Sequence, residues 1–244
     1  MQPNRILILG GTGLAREAAN ALVACAQYVV SSLASVTRAP HLPKGEIRLG
    51  GFGGTEGLVK YLRDANIDLV VDATHSFAAQ MSAHAYAACA SVGVKLVRLE
   101  APAWQPQKGD DWREVVSIAL AVQALPKDTR VAVTVGRKQI GAFFARTDLS
   151  GVARMIEPPD VDVPSRWQLL LERPPFTLEA EIDLLRASDV QFLVSKNAGG
   201  ARVAKLDAAA ALGLPVIMIA RPFKPPVASV ENVAELLGTL SFAD

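Results

Sequence analysis

The feature that most restricts the fold is the opening segment from Ile6 to Arg16, ILILGGTGLAR. A run of apolar β-formers passes through Gly10, Gly11 and Gly13 straight into an Ala-rich stretch with helical spacing. A strand that feeds a helix through a glycine turn is the first half of a βαβ unit. Glycine permits the tight turn and lets backbone N–H groups approach an anion, whose charge then meets the positive end of the helix. With Thr12 inside it, the turn has the context of a dinucleotide phosphate site. The third glycine of the general fingerprint is missing. Arg16 stands there and can offer a phosphate a charge-assisted hydrogen bond instead. A glycine turn without a ligand is the alternative.

The alternation continues along the chain. Strands are predicted at residues 5–9, 28–36, 67–72, 94–99, 130–135, 190–195 and 216–220, and helices at 14–26, 55–65, 76–91, 114–124, 178–187, 201–212 and 230–240. The third of these helices starts on a Ser76 N-cap and is stopped by Gly93. Between Glu100 and Asp111, prolines and a charged, Gly-containing stretch oppose regular structure. The expected fold is α/β: two Rossmann-like three-layer domains with mostly parallel sheets and a cleft between them. The expected division is a dinucleotide-binding domain at residues 1–100, a crossing loop and helix at 101–129, and a smaller α/β substrate domain at 130–244.

With 50% hydrophobic and 20% charged residues, the chain has the composition of a folded globular protein. A net charge of +1 calls for neither nucleic acid nor an anionic membrane as partner. Cys25 and Cys89 are read as reduced thiols in buried helices, outside any zinc-binding pattern, and no metal site is expected. No run approaches the ~20 apolar residues of a membrane span, and no cleavable leader precedes the first strand, so the expectation is a cytoplasmic monomer or weak oligomer.

Further residues point to ligands. An acidic residue at the end of the second strand favours NAD, and a basic one accommodates the 2′-phosphate of NADP. The sequence there is Ser35-Val36-Thr37-Arg38, which favours NADPH, with a solvated loop arginine as the alternative reading. Gly51 and Gly53 lie in GGFGG at 50–54, a turn suited to close approach of a ligand or simply a flexible loop. Asp72, Ala73, Thr74 and His75 follow an apolar strand, at the edge where open α/β sheets bind ligands. His75 can position the ribose or the backbone there, or transfer a proton. Three later turns carry cations after predicted strands: Gly136-Arg137-Lys138, Ser195 to Gly200 with Lys196 and Asn197, and Arg221-Pro222-Phe223-Lys224. Arg202 and Lys205 follow the second turn. Together they read as an edge of positive charge for a substrate with several carboxylates, or else as solvated surface.

Taken in order, LGGTGLAR at 9–16, GGFGG at 50–54, DATHSFA at 72–78, TVGRK at 134–138, PPFTLEAE at 174–181, SKNAGG at 195–200 with KLDAA at 205–209, and ARP at 220–222 resemble the precorrin-6A reductases of cobalamin biosynthesis over nearly the whole chain. Ser76, Ala101 and Asn197-Ala198 depart from residues common in that family. The resemblance implies reduction of one double bond of a tetrapyrrole, precorrin-6A to precorrin-6B, by hydride from NADPH. The candidate catalytic groups are Lys196 and His75, with a bound water as the other possible source of the proton. Gly10, Gly11, Thr12, Gly13, Arg16, Thr37, Arg38, Gly51, Gly53, Asp72, Ala73 and Thr74 are candidates for the cofactor. Arg137, Lys138, Asn197, Gly199, Gly200, Lys205 and Arg221 are candidates for the substrate. The rival readings are a non-catalytic NADP-binding sensor and another Rossmann-type reductase. A short-chain dehydrogenase is disfavoured because none of Tyr28, Tyr61 and Tyr86 has a lysine four positions on.

Overall fold

The structure is a computed structural model that describes residues 4–34 and 42–240. The chain divides into two units, Met1–Pro102 with Phe223–Asp244, and Ala103–Pro222.

Unit 1 contains one parallel sheet in the order β12-β5-β4-β1-β2-β3. Its strands are β1 (Arg5–Leu9), β2 (Tyr28–Leu33), β3 (Glu46–Leu49), β4 (Leu69–Asp72), β5 (Lys95–Leu99) and β12 (Ala228–Val230). Alternate residues of β1 serve opposite faces. Ile6 and Ile8 pack with α1 (Gly13–Ala24) and α8 (Val233–Thr239). Leu7 and Leu9 pack with α2 (Gly54–Asp64) and α3 (Ala79–Val92). In α1 the buried residues Ala15, Ala18, Ala19 and Leu22 repeat at i, i+3, i+4 and i+7, so small side chains bring the helix close to the sheet.

Unit 2 has a second parallel sheet, ordered β6-β11-β10-β7-β8-β9. It comprises β6 (Trp112–Val115), β7 (Arg130–Val133), β8 (Ser150–Met155), β9 (Trp167–Leu171), β10 (Phe192–Lys196) and β11 (Val216–Ile219). Leu185 of α6 (Leu178–Ala187) and Leu206, Ala208 and Ala209 of α7 (Ala204–Leu212) pack with Ala132, Leu193 and Met218 of the sheet. The short helices α4 (Ile118–Ala124) and α5 (Gly141–Phe144) complete the unit. The two-sheet α/β architecture with parallel strands agrees with the expected fold.

Several details differ from expectation. The helix predicted at 114–124 opens as strand β6 and becomes helical only at Ile118, where the Ser117 hydroxyl accepts from the Leu120 N–H. The chain therefore joins the second sheet before residue 130. The helix predicted from 230 likewise begins as β12 and turns helical after the Asn232 cap. β12 pairs with β5, so the C-terminal segment belongs to the first sheet rather than to the second domain. Strands β3, β8 and β9 had no predicted counterpart. In β8, Gly151 reads as a breaker but is required by the pairing. Its φ is +137°, and a Cβ there would lie 2.1 Å from the Val131 carbonyl oxygen of β7. Helix α3 begins after Ala78, not Ser76, and ends at Gly93 in the left-handed region as expected. Cys25 caps the end of α1 and is exposed, whereas Cys89 is buried and its thiol is pushed up to about 11, chiefly by burial. Among the described residues no helix is long and apolar enough to cross a membrane.

Candidate functional site

Strand order locates a candidate site in each unit. In sheet 1, β2 and β3 extend to one side of β1 while β4 and β5 extend to the other, so the connections after β1 and β4 diverge. In sheet 2 the same reversal lies between β7 and β10. Such switch points open a crevice at the carboxyl edge of a parallel sheet.

At the first switch point the turn after β1 crosses to the end of β4. Thr12 caps α1 by accepting from the Ala15 N–H at 3.0 Å, and its hydroxyl donates to the Ala73 carbonyl at 3.0 Å. Gly10 continues the ladder by donating to Ser32 O. A Cβ at Gly11 or Gly13 would meet nothing within 4 Å. Gly11 has φ +112°, which accounts for its glycine, but Gly13 has no such conformation. As the first residue of a helix it gives up helix propensity with no return from internal packing. The space that a side chain would fill lies over the N-terminus of α1, where an anion is stabilised by backbone donors and the helix dipole. The turn therefore fits a dinucleotide pyrophosphate. Arg16 is exposed on the first turn of α1.

The residues after β4 form the other wall. Asp72 is 1% exposed. Its carboxylate accepts from the Thr74 hydroxyl at 2.7 Å and is paired with Arg98 at 3.5 Å. Arg98 also donates to the Pro225 carbonyl, which ties β5 to the C-terminal segment. Asp72 thus braces the loop from within, Ala73 is buried, and Thr74 is half-buried beside it. His75 is exposed, and its Nδ1 accepts from the Phe77 N–H at 3.1 Å. Gly51 and Gly53 lie in the loop after β3, with Gly53 as the left-handed N-cap of α2. Thr37 and Arg38 lie outside the described residues.

The second switch point is crowded with side chains. Lys196 ends β10 half-buried, and burial pushes its amine below the usual lysine range. Thr134, just past β7, donates to the Val194 carbonyl at 3.1 Å and accepts from Lys205 Nζ at 2.8 Å. The amine of Lys205 is enclosed, and burial together with nearby Arg154 lowers it to about 8. Arg154 is itself held by Glu181 at 2.6 Å, with Phe176 stacked 3.9 Å away. Beside them, Arg154, Glu172, Arg173 and Phe176 line a cavity of about 390 Å³.

Asn197 is 5% exposed. Its Oδ1 accepts from Trp104 N at 2.8 Å and its Nδ2 donates to Trp104 O at 2.9 Å, while its backbone N–H donates to Ile219 O at 2.9 Å, so Asn197 shapes the turn from within. Trp104 in turn donates from its indole to Gly200 O and Ala201 O, which clamps the turn from the other end. Gly199 and Gly200 both adopt positive φ, +79° and +82°. Arg221 donates to the carbonyls of Asn197 and Ala198 at 3.2 and 2.9 Å.

All three basic turns emerge at the carboxyl edge, but much of their charge is paired. Arg137 meets Asp160 at 3.0 Å. Arg202 grips Asp110 with two bonds and also reaches Asp207. Lys224 meets Glu100 at 2.8 Å and belongs to unit 1. Lys138 is exposed. The positive field is therefore narrower than the cation count implied. Sequence reasoning also passed over Arg48, Trp104, Arg154 and Glu181. An arginine just before the GGFGG run, and an arginine inside the otherwise apolar SGVARM, were the available signals.

The chain matches the model of a known family. The family model described as precorrin-6x reductase CbiJ/CobK matches residues 5–241. A precorrin-6A reductase of Rhodococcus erythropolis is 45% identical over 241 residues, which span 98% of this chain and 96% of that protein. One from Rhodobacter capsulatus is 43% identical over 91% of this chain and 89% of its own length. A solved structure, CobK precorrin-6A reductase, aligns with a TM-score of 0.90 at 41% identity, over 98% of this chain and 96% of that one.

Proposed function

The chain belongs to the precorrin-6x reductase CbiJ/CobK family, and from that premise we propose that it reduces one double bond of precorrin-6A to give precorrin-6B, with NADPH as the cofactor. The observation that carries the cofactor assignment is the open space over Gly11 and Gly13 at the first switch point, which the protein's own packing does not use.

When bound, NADPH supplies the hydride. The Gly10–Gly13 turn and the start of α1 receive the pyrophosphate, and Arg16 adds a charge-assisted bond to it. Thr37 and Arg38 receive the 2′-phosphate and so favour NADPH over NADH. Gly51, Gly53 and the braced Asp72-Ala73-Thr74 segment hold the ribose side of the cofactor. In unit 2, Arg137, Lys138 and the backbone of Gly199 and Gly200 meet the carboxylates of the tetrapyrrole, on a turn that Asn197 holds in shape through its bonds to Trp104 and Ile219. Lys205 and Arg221 support that edge from behind, through Thr134 and through the 197–198 carbonyls.

Reduction of a double bond also requires a proton at the neighbouring carbon. Lys196 provides it in this reading. Burial makes its ammonium a stronger acid than an exposed lysine, which brings it nearer to the range useful for proton transfer. His75 and a bound water are the other candidates.

The test is to mix the protein with NADPH and precorrin-6A and follow the nicotinamide absorbance. Loss of absorbance with formation of precorrin-6B is expected. Binding of NADPH without oxidation would favour a sensor, and oxidation of NADH at equal efficiency would remove the cofactor preference. A cytoplasmic location and a monomeric or weakly associated state complete the proposal.

A further inference from the structure

Arg48, near the carboxyl end of β3, spends its guanidinium on the loop that follows. Nη1 donates to the Gly50 carbonyl at 2.6 Å and to Ser32 Oγ of β2 at 3.3 Å, and Nη2 donates to the Gly51 carbonyl at 2.9 Å. Its Cζ lies 3.8 Å from the Phe52 ring centroid and 5.2 Å from that of Tyr61. The two rings meet edge to face at 5.3 Å. A planar cation so stacked has one orientation, and two carbonyls are fixed by it. Helix α2 packs against the same loop at Phe52, since a Cβ at Gly57 would come within 1.6 Å of the Phe52 carbonyl oxygen.

A trans peptide points its C=O and its N–H in opposite directions. With the carbonyls of Gly50 and Gly51 held on the guanidinium, the N–H groups of Gly51 and Phe52 turn away from it. A Cβ at Gly51 would meet nothing within 4 Å, and its φ is not in the left-handed region, so neither conformation nor packing demands glycine there. The same device recurs in unit 2, where Arg221 holds the consecutive carbonyls of Asn197 and Ala198 at the start of a glycine turn.

We propose that Arg48 is a positioning residue for the dinucleotide: by holding the Gly50 and Gly51 carbonyls it presents the opposite edge of that loop to the ribose-phosphate portion of the cofactor, without touching the cofactor itself. The proposal rests on the NADPH reading above. It separates Arg48 from Arg38. A residue that acts through the loop affects NADPH and NADH alike, whereas one that binds the 2′-phosphate affects NADPH alone.

The test is fluorescence titration of the full chain with NADPH and with NADH, for the wild type, Arg48→Ala, Arg48→Lys and Phe52→Leu. Arg48→Ala is expected to raise both dissociation constants by the same factor, roughly tenfold for two lost charge-assisted bonds. It should leave kcat at saturating nucleotide within about twofold. Arg48→Lys should recover part of the loss, because an ammonium carries the charge but cannot span two carbonyls while stacked. Phe52→Leu, which removes the stacking and keeps the bonds, should weaken both nucleotides by about two- to threefold. Unchanged affinity in Arg48→Ala, or a loss confined to NADPH, overturns the proposal. Should that variant not fold, unchanged affinities in both Arg48→Lys and Phe52→Leu overturn it. A wild-type protein that binds neither nucleotide overturns the cofactor reading together with this one, and that result is seen before any variant is compared.

Discussion

At the switch point of unit 1 the backbone stands open over Gly11 and Gly13, and Thr12 is the side chain that bridges its two walls. At the switch point of unit 2, between β7 and β10, Lys196, Lys205, Thr134 and Asn197 converge, with Arg154 and Glu181 packed behind. The strand arrangement about the switch point is the same and the filling is opposite. A pyrophosphate can be bound by bare N–H groups and a helix end, which works only where side chains are absent. Carboxylates at several places on a large ring call instead for cations spaced along an edge, and cations brought that close must be braced by partners of their own. In the proposed division of labour, then, unit 1 binds by leaving space and unit 2 by occupying it.

The sharpest way to break this contrast is at Lys196. Lys196→Ala should lower the single-turnover rate of reduction by roughly 10²- to 10³-fold with NADPH affinity unchanged. A near wild-type rate at saturating substrate would make Lys196 a binding residue only. Next in size is the emptiness of unit 1. Gly13→Val should weaken NADPH by about 10²-fold or less and cost no more than about 1 kcal/mol of stability, since the new side chain meets open space. A thermal melt beside a nucleotide titration separates the two effects, and an unchanged affinity would mean that the space is not the cofactor's. Arg38→Ala should raise the Michaelis constant for NADPH about tenfold more than that for NADH. Equal changes would place the 2′-phosphate elsewhere.

The smallest effect concerns the crowding in unit 2. The amine of Lys205 is lowered in the folded protein to about 8, from about 10.5 in an unfolded chain. The folded state therefore binds protons less readily, and the penalty for burying the charge is fully present below pH 8. Wild-type stability should rise with pH between about 8 and 10.5 from this group. Lys205→Met, which keeps the length without the charge, should stabilise the protein at pH 7 by about 1–2 kcal/mol, with the gain fading toward pH 10. Denaturant titrations at both pH values measure it, and a destabilised variant at pH 7 would mean that the bond to Thr134 outweighs the buried charge.

The same contrast explains what could be read from the chain. The turn in unit 1 is legible because everything it needs, from Ile6 to Ala15, lies within one strand, one turn and one helix. The brace on Asp72 and the pairing of the cations in unit 2 are not local. Arg98 reaches Asp72 across 26 positions, Arg202 reaches Asp110 across 92, Lys205 reaches Thr134 across 71, and Arg137 reaches Asp160 across 23. A count of lysines and arginines after strands therefore found the right edge and overstated its free charge. β8 was missed for a related reason. Gly151 and Arg154 break the apolar pattern of a strand, yet one allows close approach to β7 and the other is neutralised by Glu181 on a helix still to come. Arg48 was passed over because its partners, Gly50, Gly51 and Phe52, look like an unstructured glycine run until the guanidinium is seen to hold it.

The pairing of β12 with β5 bears on how the polypeptide matures during synthesis. Strands β1 to β5 leave the ribosome first, but β5 keeps an open hydrogen-bonding edge while all of unit 2 is translated, and that edge is a template for wrong pairing. Val230, Val233 and Leu236, which pack with α1 and the strands of the first sheet, arrive last. Unit 2 is continuous in sequence. The unit whose translation begins first thus completes its sheet only after the other has been made in full.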